Sequence, residues 1–162
     1  PVLADFERPA AGVLWNEHLG GQPRRVARDD TGHALEITHT GEDRWPGASS
    51  RRLAWNWTGQ DTLLVSARLV APSPDSLRVT VWLEDRVSGH DVDDAHRTFT
   101  VGHDWTTLRL PLHDLKTQRR GRELSLRTVN SVAVFMHRGK HDGRLALQID
   151  DLRLRDSLRD GG

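Results

Sequence analysis

The sequence predicts one all-β domain, a two-sheet antiparallel β-sandwich of about ten strands with no large helix. Three observations support this prediction. Apolar and polar residues alternate with a period of two in several segments, as they do in half-buried strands of antiparallel sheets. Short clusters rich in Gly, Pro and Asp separate these segments. No stretch keeps a helical period, and short strands at this spacing favour a sandwich or a barrel.

The alternation is clearest in residues 62–71, 76–85, 105–112 and 131–137, where aliphatic side chains occupy one face of each segment. The last strand changes parity midway, which predicts a β-bulge with one extra residue at Asp150–Asp151. Such a bulge is either a plain structural irregularity or a device that aims a carboxylate. Further strands are predicted at Val2–Glu7, Ala34–Thr38, Ser49–Leu53, His96–Val101 and Leu145–Leu154.

The composition excludes several classes of protein. The 162 residues suit one domain, assigned to 1–155, and 156–162 are expected to be a disordered or vector-derived tail. The formal net charge is zero, so nucleic acid is not an expected partner. There is no cysteine to form disulfides. No apolar run approaches the ~18 residues of a membrane span, and we expect the chain to be part of a larger protein.

Four segments resemble the galactose-binding-like jelly rolls, which include many carbohydrate-binding modules of polysaccharide-degrading enzymes. They read LADFE (3–7), GHALEI (32–37), DWTTLRLPLHDL (104–115) and LQIDDLRL (147–154), and the likeness runs from Leu3 to Arg155. The resemblance implies a jelly-roll sandwich, often a structural calcium ion, and in many relatives sugar binding.

The chain also resembles the soluble C-terminal domains of VanZ-like bacterial membrane proteins. The shared features are Pro46-Gly47, Trp57-Thr58-Gly59 and an Asp- and His-containing loop between Asp85 and Phe99. The loop departs from that pattern because it lacks a contiguous Asp-Arg-Phe. Asp104 stands where those domains have a glycine.

The resemblance implies a calcium site. In similar jelly rolls the ion joins the first strand, an early loop and the first Asp of the closing pair, and calcium prefers such oxygen ligands. The matching positions here are Asp5, Glu7, Asp30 and Asp150. The alternative is that these are ordinary acids of turns and strand ends.

A ligand-binding face is predicted from residues that point away from the apolar sides of their strands. An indole is a flat partner for the apolar face of a sugar, and guanidinium groups suit carboxylates, which favours an acidic polysaccharide. The face exists as one surface only if these strands share a sheet. Trp45, in a Pro-Gly loop, is a further candidate, whereas Trp57 and Trp105 match structural tryptophans of similar domains. The predicted face comprises Arg68, Arg78, Trp82, Arg109 and His137.

The segment from Glu84 to Arg97 crowds histidines and aspartates onto one loop. Such residues can bind zinc, but no ligand pair here is expected to have the i, i+4 geometry of a helix, and all of them lie on one flexible segment. We expect a solvated polar loop without a tight transition-metal site, with His90 as its candidate ligand contact.

No catalytic motif is present, since the sequence lacks a nucleophile elbow, a P-loop, a Rossmann fingerprint and a His-Glu-x-x-His helix. We therefore expect a non-catalytic, bacterial, extracytoplasmic module that binds a glycan or cell-envelope polysaccharide and is monomeric in isolation. The alternative is a structural or protein-interaction domain without a sugar site. A polysaccharide lyase or glycosidase is less favoured. The lyases of similar fold pair a tyrosine with a histidine, and this chain has no tyrosine.

Overall fold

The computed structural model describes residues 1–29, 31–51, 56–88 and 93–156. Eleven strands and one short helix are found there, with single 3₁₀ turns at Arg86–Ser88 and Leu126–Thr128. The elements are β1 (Val2–Ala4), α1 (Pro9–Val13), β2 (Asn16–His18), β3 (Gln22–Ala27), β4 (His33–His39), β5 (Gly47–Ser50), β6 (Thr62–Leu69), β7 (Leu77–Asp85), β8 (Ala95–Val101), β9 (Thr106–Pro111), β10 (Val129–Met136) and β11 (Leu145–Arg155).

The strands form two antiparallel sheets, which confirms the predicted all-β sandwich without a large helix. The six-stranded sheet has the order β3-β4-β11-β6-β9, with β1 added along β11. The five-stranded sheet has the order β2-β5-β10-β7-β8. Consecutive strands often belong to different sheets, so the chain crosses repeatedly between the two layers. No helix in these ranges is long and apolar enough to cross a membrane.

The core lies between the sheets and is built by the alternation read from the sequence. On β6 the residues Leu63 and Val65 are buried among core residues, whereas Leu64 and Ser66 are half-buried on the opposite face. On β7, Leu77, Val79, Val81 and Leu83 all face the core. Burying an aliphatic side chain contributes roughly 1.5–3 kcal/mol, so this repeat fixes which face of each strand turns outward.

The predicted bulge in β11 is present. Its pairing with β6 slips by one residue between Asp150 and Arg153, and Asp151 adopts a positive φ of 49°. Asp150 stabilises this turn of the backbone, since its Oδ1 accepts a hydrogen bond of 2.8 Å from the Asp151 amide. Before the bulge β11 pairs with β4, and after the bulge the same edge of β11 pairs with β1.

Two predicted strands differ from the structure in their bounds, and two observed strands were not predicted. The first strand ends at Ala4 because the backbone turns at Phe6, which has φ 57° and buries its ring against Trp15. β2 and β3 were not predicted. The strand predicted at Ser49–Leu53 is observed as Gly47–Ser50, and residues 52–55 lie outside the described ranges.

Candidate functional site

The outer face of the five-stranded sheet carries the candidate site. Alternation on β7 turns Arg78, Thr80 and Trp82 outward, opposite its core residues. On β10 the outward positions are Ala133 and Phe135, which pair with Trp82 and Thr80 respectively. The structure therefore brings the two predicted residues Arg78 and Trp82 together on one surface, as their shared strand requires.

Three rings form a row across this face, hereafter the ring row of His18, Phe135 and His137. The ring centroids of His18 and Phe135 are 5.7 Å apart, and those of Phe135 and His137 are 6.3 Å apart. Both pairs are close to parallel, with interplanar angles of 23° and 28°. His18 lies two strands away from Phe135, with Gly47 of β5 between them in register. The row is a cluster of stacked rings that alternation alone did not predict.

Gly47 makes the ring row possible. A Cβ at this position would lie 2.2 Å from the Val134 carbonyl oxygen and 2.5 Å from the Phe135 Cβ. Since real side chains do not approach so closely, only glycine lets the neighbouring rings meet over β5.

His137 is held by Thr80. The His137 Nε2 and the Thr80 Oγ1 are 2.6 Å apart, and the same hydroxyl lies 2.8 Å from Thr98 Oγ1. Burial lowers the pKa of His137, and the positive charges of Arg78 and His96 lower it further. Burial also lowers the pKa of His18. At neutral pH the ring row is therefore an uncharged surface.

Trp82 lies beside the ring row and is half-buried. It is two residues beyond Thr80 on β7, and Thr80 is the residue that pairs with Phe135. The neighbours of Trp82 in register are Ala133 on β10 and His96 on β8. Ala133 contributes only a methyl group and is fully buried on this face, so neighbouring side chains cover it. His96 is fixed by Asp94, with 2.6 Å between its Nδ1 and the carboxylate Oδ2.

The two ends of the face differ in charge. At the Trp82 end, burial raises the pKa of Glu84; Arg51 opposes that shift, and Asp94 and Asp85 add to it. At the other end, beyond His137, lies a cleft of about 610 Å³. We call it the arginine cleft, defined by Arg44, Trp45, Arg78, His137, Arg138 and His141.

The arginine cleft brings together three of the predicted ligand residues. Trp45 has 48% of its surface exposed, and it lines the cleft with Arg78 and His137. His137 belongs both to the cleft and to the ring row, so the two surfaces are continuous.

Arg68 and Arg109 lie elsewhere, on the outer side of the six-stranded sheet, so the predicted residues do not form a single face. The physical reason is topology, since β6 and β9 belong to one sheet and β7 and β10 to the other. There the Arg68 guanidinium donates hydrogen bonds to Gln148 Oε1 at 2.9 Å and to Asp29 Oδ2 at 2.6 Å. Trp105 is half-buried rather than a core residue, and two guanidinium groups lie over its ring. Those of Arg28 and Arg68 are 4.3 and 4.8 Å from its centroid.

The residues that the resemblance implies for calcium are only partly arranged for an ion. Glu7 lies against Gly32 and His33, and its Oε1 accepts a hydrogen bond of 2.9 Å from the His33 amide. Asp150 is 2% exposed, and its Oδ2 is 2.5 Å from the guanidinium of Arg28, so a cation already occupies that carboxylate. Asp5 accepts from the Glu7 amide. Asp30 lies outside the described ranges, and calcium stays a prediction.

His90 also lies outside the described ranges. Next to that segment, Asp85 and Asp93 hold the loop that follows β9. Asp85 accepts two hydrogen bonds from Arg122, at 2.7 and 2.8 Å, and Asp93 accepts from the Arg119 amide at 2.9 Å. Within the described ranges, no group of three or more His, Cys, Asp or Glu side chains is placed to hold a metal ion.

The fold is that of carbohydrate-binding modules. The chain is similar to the family 11 carbohydrate-binding module from Clostridium thermocellum in complex with a β-1,3-1,4-mixed-linked tetrasaccharide. That likeness has a TM-score of 0.69 and 18% identity, and it covers 95% of this chain and 94% of the module. The CBM22-1 xylan-binding domain of Paenibacillus barcinonensis Xyn10C gives a TM-score of 0.64 with 17% identity, covering 96% of this chain and 94% of that domain.

An exo-β-agarase gives a TM-score of 0.77 with 12% identity. The likeness covers 96% of this chain but spans only 25% of the agarase chain. No protein-family model and no curated protein matches the sequence. The resemblance to VanZ-like proteins receives no support from these comparisons and stays a prediction.

Proposed function

We propose that this chain is a non-catalytic carbohydrate-binding domain whose glycan ligand lies on the outer face of the five-stranded sheet. The observation that carries the proposal is the ring row of His18, Phe135 and His137, with Trp82 in the next row on the same face. No comparable row of stacked rings is found among the described residues of the other sheet.

The chemistry of the face suits a sugar polymer. Aromatic rings present flat apolar surfaces to the C–H faces of sugar rings, and the hydroxyl groups of a sugar need partners at the edges. Thr98 and His96 supply such polar groups on β8, beside Thr80 and Trp82. An open face leaves water in place and orders few groups, so the binding is expected to be weak and to depend on the aromatic platform.

The comparisons support the proposal through the fold. Two of the similar structures are a carbohydrate-binding module and a xylan-binding domain. In the agarase a domain of this kind accounts for about a quarter of the chain. We extend the proposal accordingly to an extracytoplasmic module within a larger protein that acts on polysaccharide.

A non-catalytic role agrees with the acids on this face. Hydrolysis of a glycosidic bond needs two carboxyl groups that face the same bond. Of the acids described on this face, Asp94 is held by His96, with 2.6 Å between its Oδ2 and the His96 Nδ1. The rings, rather than these acids, are the feature of the described face on which the proposal rests.

Isothermal titration against a panel of soluble polysaccharides tests the proposal. The wild type should bind at least one glycan, and Trp82→Ala and Phe135→Ala should each weaken that binding roughly tenfold or more. The matched control is Trp105→Ala, which removes an indole from the other sheet and should keep the affinity. Binding lost equally in all three variants would contradict the placement of the glycan on this face, whereas no binding in a broad panel would favour the protein-interaction alternative.

A further inference from the structure

Building on the proposed carbohydrate-binding function, we propose that the arginine cleft is a subsite for an anionic substituent of the glycan, a carboxylate or a sulfate ester. The cleft adjoins the ring row through His137. A sugar on the ring row would therefore place its neighbour, or its own substituent, at the cleft.

The strands themselves bring the cationic groups together. Beyond its named end, β10 continues to pair on both sides, because the His137 amide donates to the Arg78 carbonyl and the Arg138 amide donates to the Arg44 carbonyl. Both hydrogen bonds are 2.9 Å long. Arg78 and Arg44 thus flank the same two residues from opposite sides, and the cleft is a product of sheet pairing rather than of a loop alone.

The cationic charge of the cleft is not neutralised from within. No Asp or Glu lines it. The side chains of Arg44 and Arg78 make no hydrogen bond or ion pair with the described part of the chain. Neighbouring guanidinium groups without carboxylate partners attract an anion, and their planar forks match the two oxygens of a carboxylate or sulfate.

Arg138 supplies an independent observation. It is only 5% exposed. Four of its five N–H groups have protein acceptors, all of them uncharged. NH1 donates to the carbonyls of His141 and Gly143, at 2.9 and 2.8 Å. NH2 donates to the His39 Nδ1 and carbonyl, at 2.7 and 3.4 Å.

The fifth donor of Arg138, Nε–H, is buried and has no partner in the described ranges. An unsatisfied buried donor costs free energy, and structures rarely leave one without a reason. The acid nearest in this network, Asp43, is bonded to His39 Nε2 at 2.9 Å rather than to the guanidinium. An anion in the cleft would supply the negative charge that Arg44, Arg78 and Arg138 lack.

The exposed indole of Trp45 indicates that the anion is carried by a ring. It follows Arg44 in the chain and lines the same cleft. A free inorganic anion would gain nothing from an indole, whereas a uronate or sulfated sugar can stack on Trp45 and pair with the arginines together.

The test compares each charged oligosaccharide with a neutral derivative that has the same sugar backbone. One arm uses oligogalacturonate and its full methyl ester, and the other uses a sulfated carrageenan oligosaccharide and its desulfated product. Titration calorimetry of the wild type should show at least one charged member binding about tenfold more tightly than its neutral derivative. That preference should shrink as NaCl is raised from about 50 mM to about 500 mM. The arm that shows the preference identifies carboxylate or sulfate.

Two substitutions and a control locate the effect. Arg44→Gln and Arg78→Gln should each reduce the charged-to-neutral ratio several-fold. Arg24→Gln, an exposed arginine on the other sheet, should leave the ratio unchanged. Arg138 is left intact because its loss threatens the fold. Equal affinity for both members of both pairs overturns the subsite while leaving the carbohydrate-binding proposal in place. Failure of all four sugars and of the neutral polysaccharide panel overturns both.

Discussion

His18 and Phe135 stack across an intervening strand, with ring centroids 5.7 Å apart and an interplanar angle of 23°. The strand between them contributes Gly47, which pairs with both residues. This relationship joins β2, β5 and β10 into one aromatic surface and explains why the middle position has no side chain.

Gly47→Ala should destabilise the protein and disturb the ring row. The added methyl group would clash with the Val134 carbonyl oxygen and with Phe135 Cβ, so the strands must move apart, at a cost of about 1–3 kcal/mol. Thermal melts measure this loss. Gly102→Ala is the control, since its nearest neighbour would be the Asp75 carbonyl oxygen at 3.4 Å. Equal melting temperatures for both variants would contradict the packing argument.

Asp85→Asn should cost about 2–3 kcal/mol, because it removes a buried, two-point ion pair and leaves Arg122 only Asp93, whose Oδ2 is 3.4 Å from the Arg122 Nε. The Arg122 side chain is 23% exposed, which keeps the estimate at the lower end. Urea unfolding measures the change. Glu123→Gln breaks the exposed pair with Lys116 and should cost less than about 1 kcal/mol. A loss no greater than that of Glu123→Gln would show that Asp85 does not hold this loop.

His137 should make stability depend on pH. Because burial and neighbouring charges lower its pKa, the unfolded chain binds a proton at a higher pH than the folded chain does. Stability is then complete above about pH 6.5 and falls as the pH is lowered towards the folded pKa. Melting temperatures between about pH 7 and pH 5 should decline less in His137→Gln than in the wild type.

Thr100→Ala is the matched control for this pH dependence, since it changes a non-titrating neighbour at the same end of the sheet. It should keep the wild-type slope. If the melting temperature of His137→Gln changes with pH as steeply as that of the wild type, His137 is not the source of the pH dependence.

Calcium should raise the melting temperature if the resemblance carries over to Glu7 and Asp150. An ion at a hundredfold excess over its Kd adds about 2.7 kcal/mol, which is several degrees for a domain of this size. Melts with calcium and with excess chelator make the comparison, and Asp150→Asn should abolish any response. Identical melts of the wild type would indicate that Arg28 is the only cation that Asp150 holds.

The sequence predicted the elements whose period was visible along the chain. β6 and β7 follow it closely, and the parity change in β11 located the bulge at Asp150. β3 was not predicted because it is an edge strand that begins Gln-Pro-Arg-Arg, a sequence with little apolar alternation. β2 was not predicted because it has only three residues, which is too short to show a period of two.

The site was predictable only along single strands. Arg78 and Trp82 could be placed together because they share β7, whereas Arg68 required knowledge of which sheet β6 joins. Phe135 shares the outward parity of His137, and that signal was available in the sequence. The approach of His18 and of Arg44 depends on pairing between distant segments, which no local pattern encodes.

Chemical-shift mapping by two-dimensional ¹H–¹⁵N NMR during titration with a bound glycan tests the central claim most directly. If the glycan binds this face, the perturbed amides should lie on β7 and β10, around residues 78–82 and 133–137, with His18 beside them. The signal of the Trp82 indole should also shift. Amides of β6 and β9 on the other sheet should stay in place. Perturbations confined to the six-stranded sheet, around Arg68 and Arg109, would contradict the assignment of the binding face.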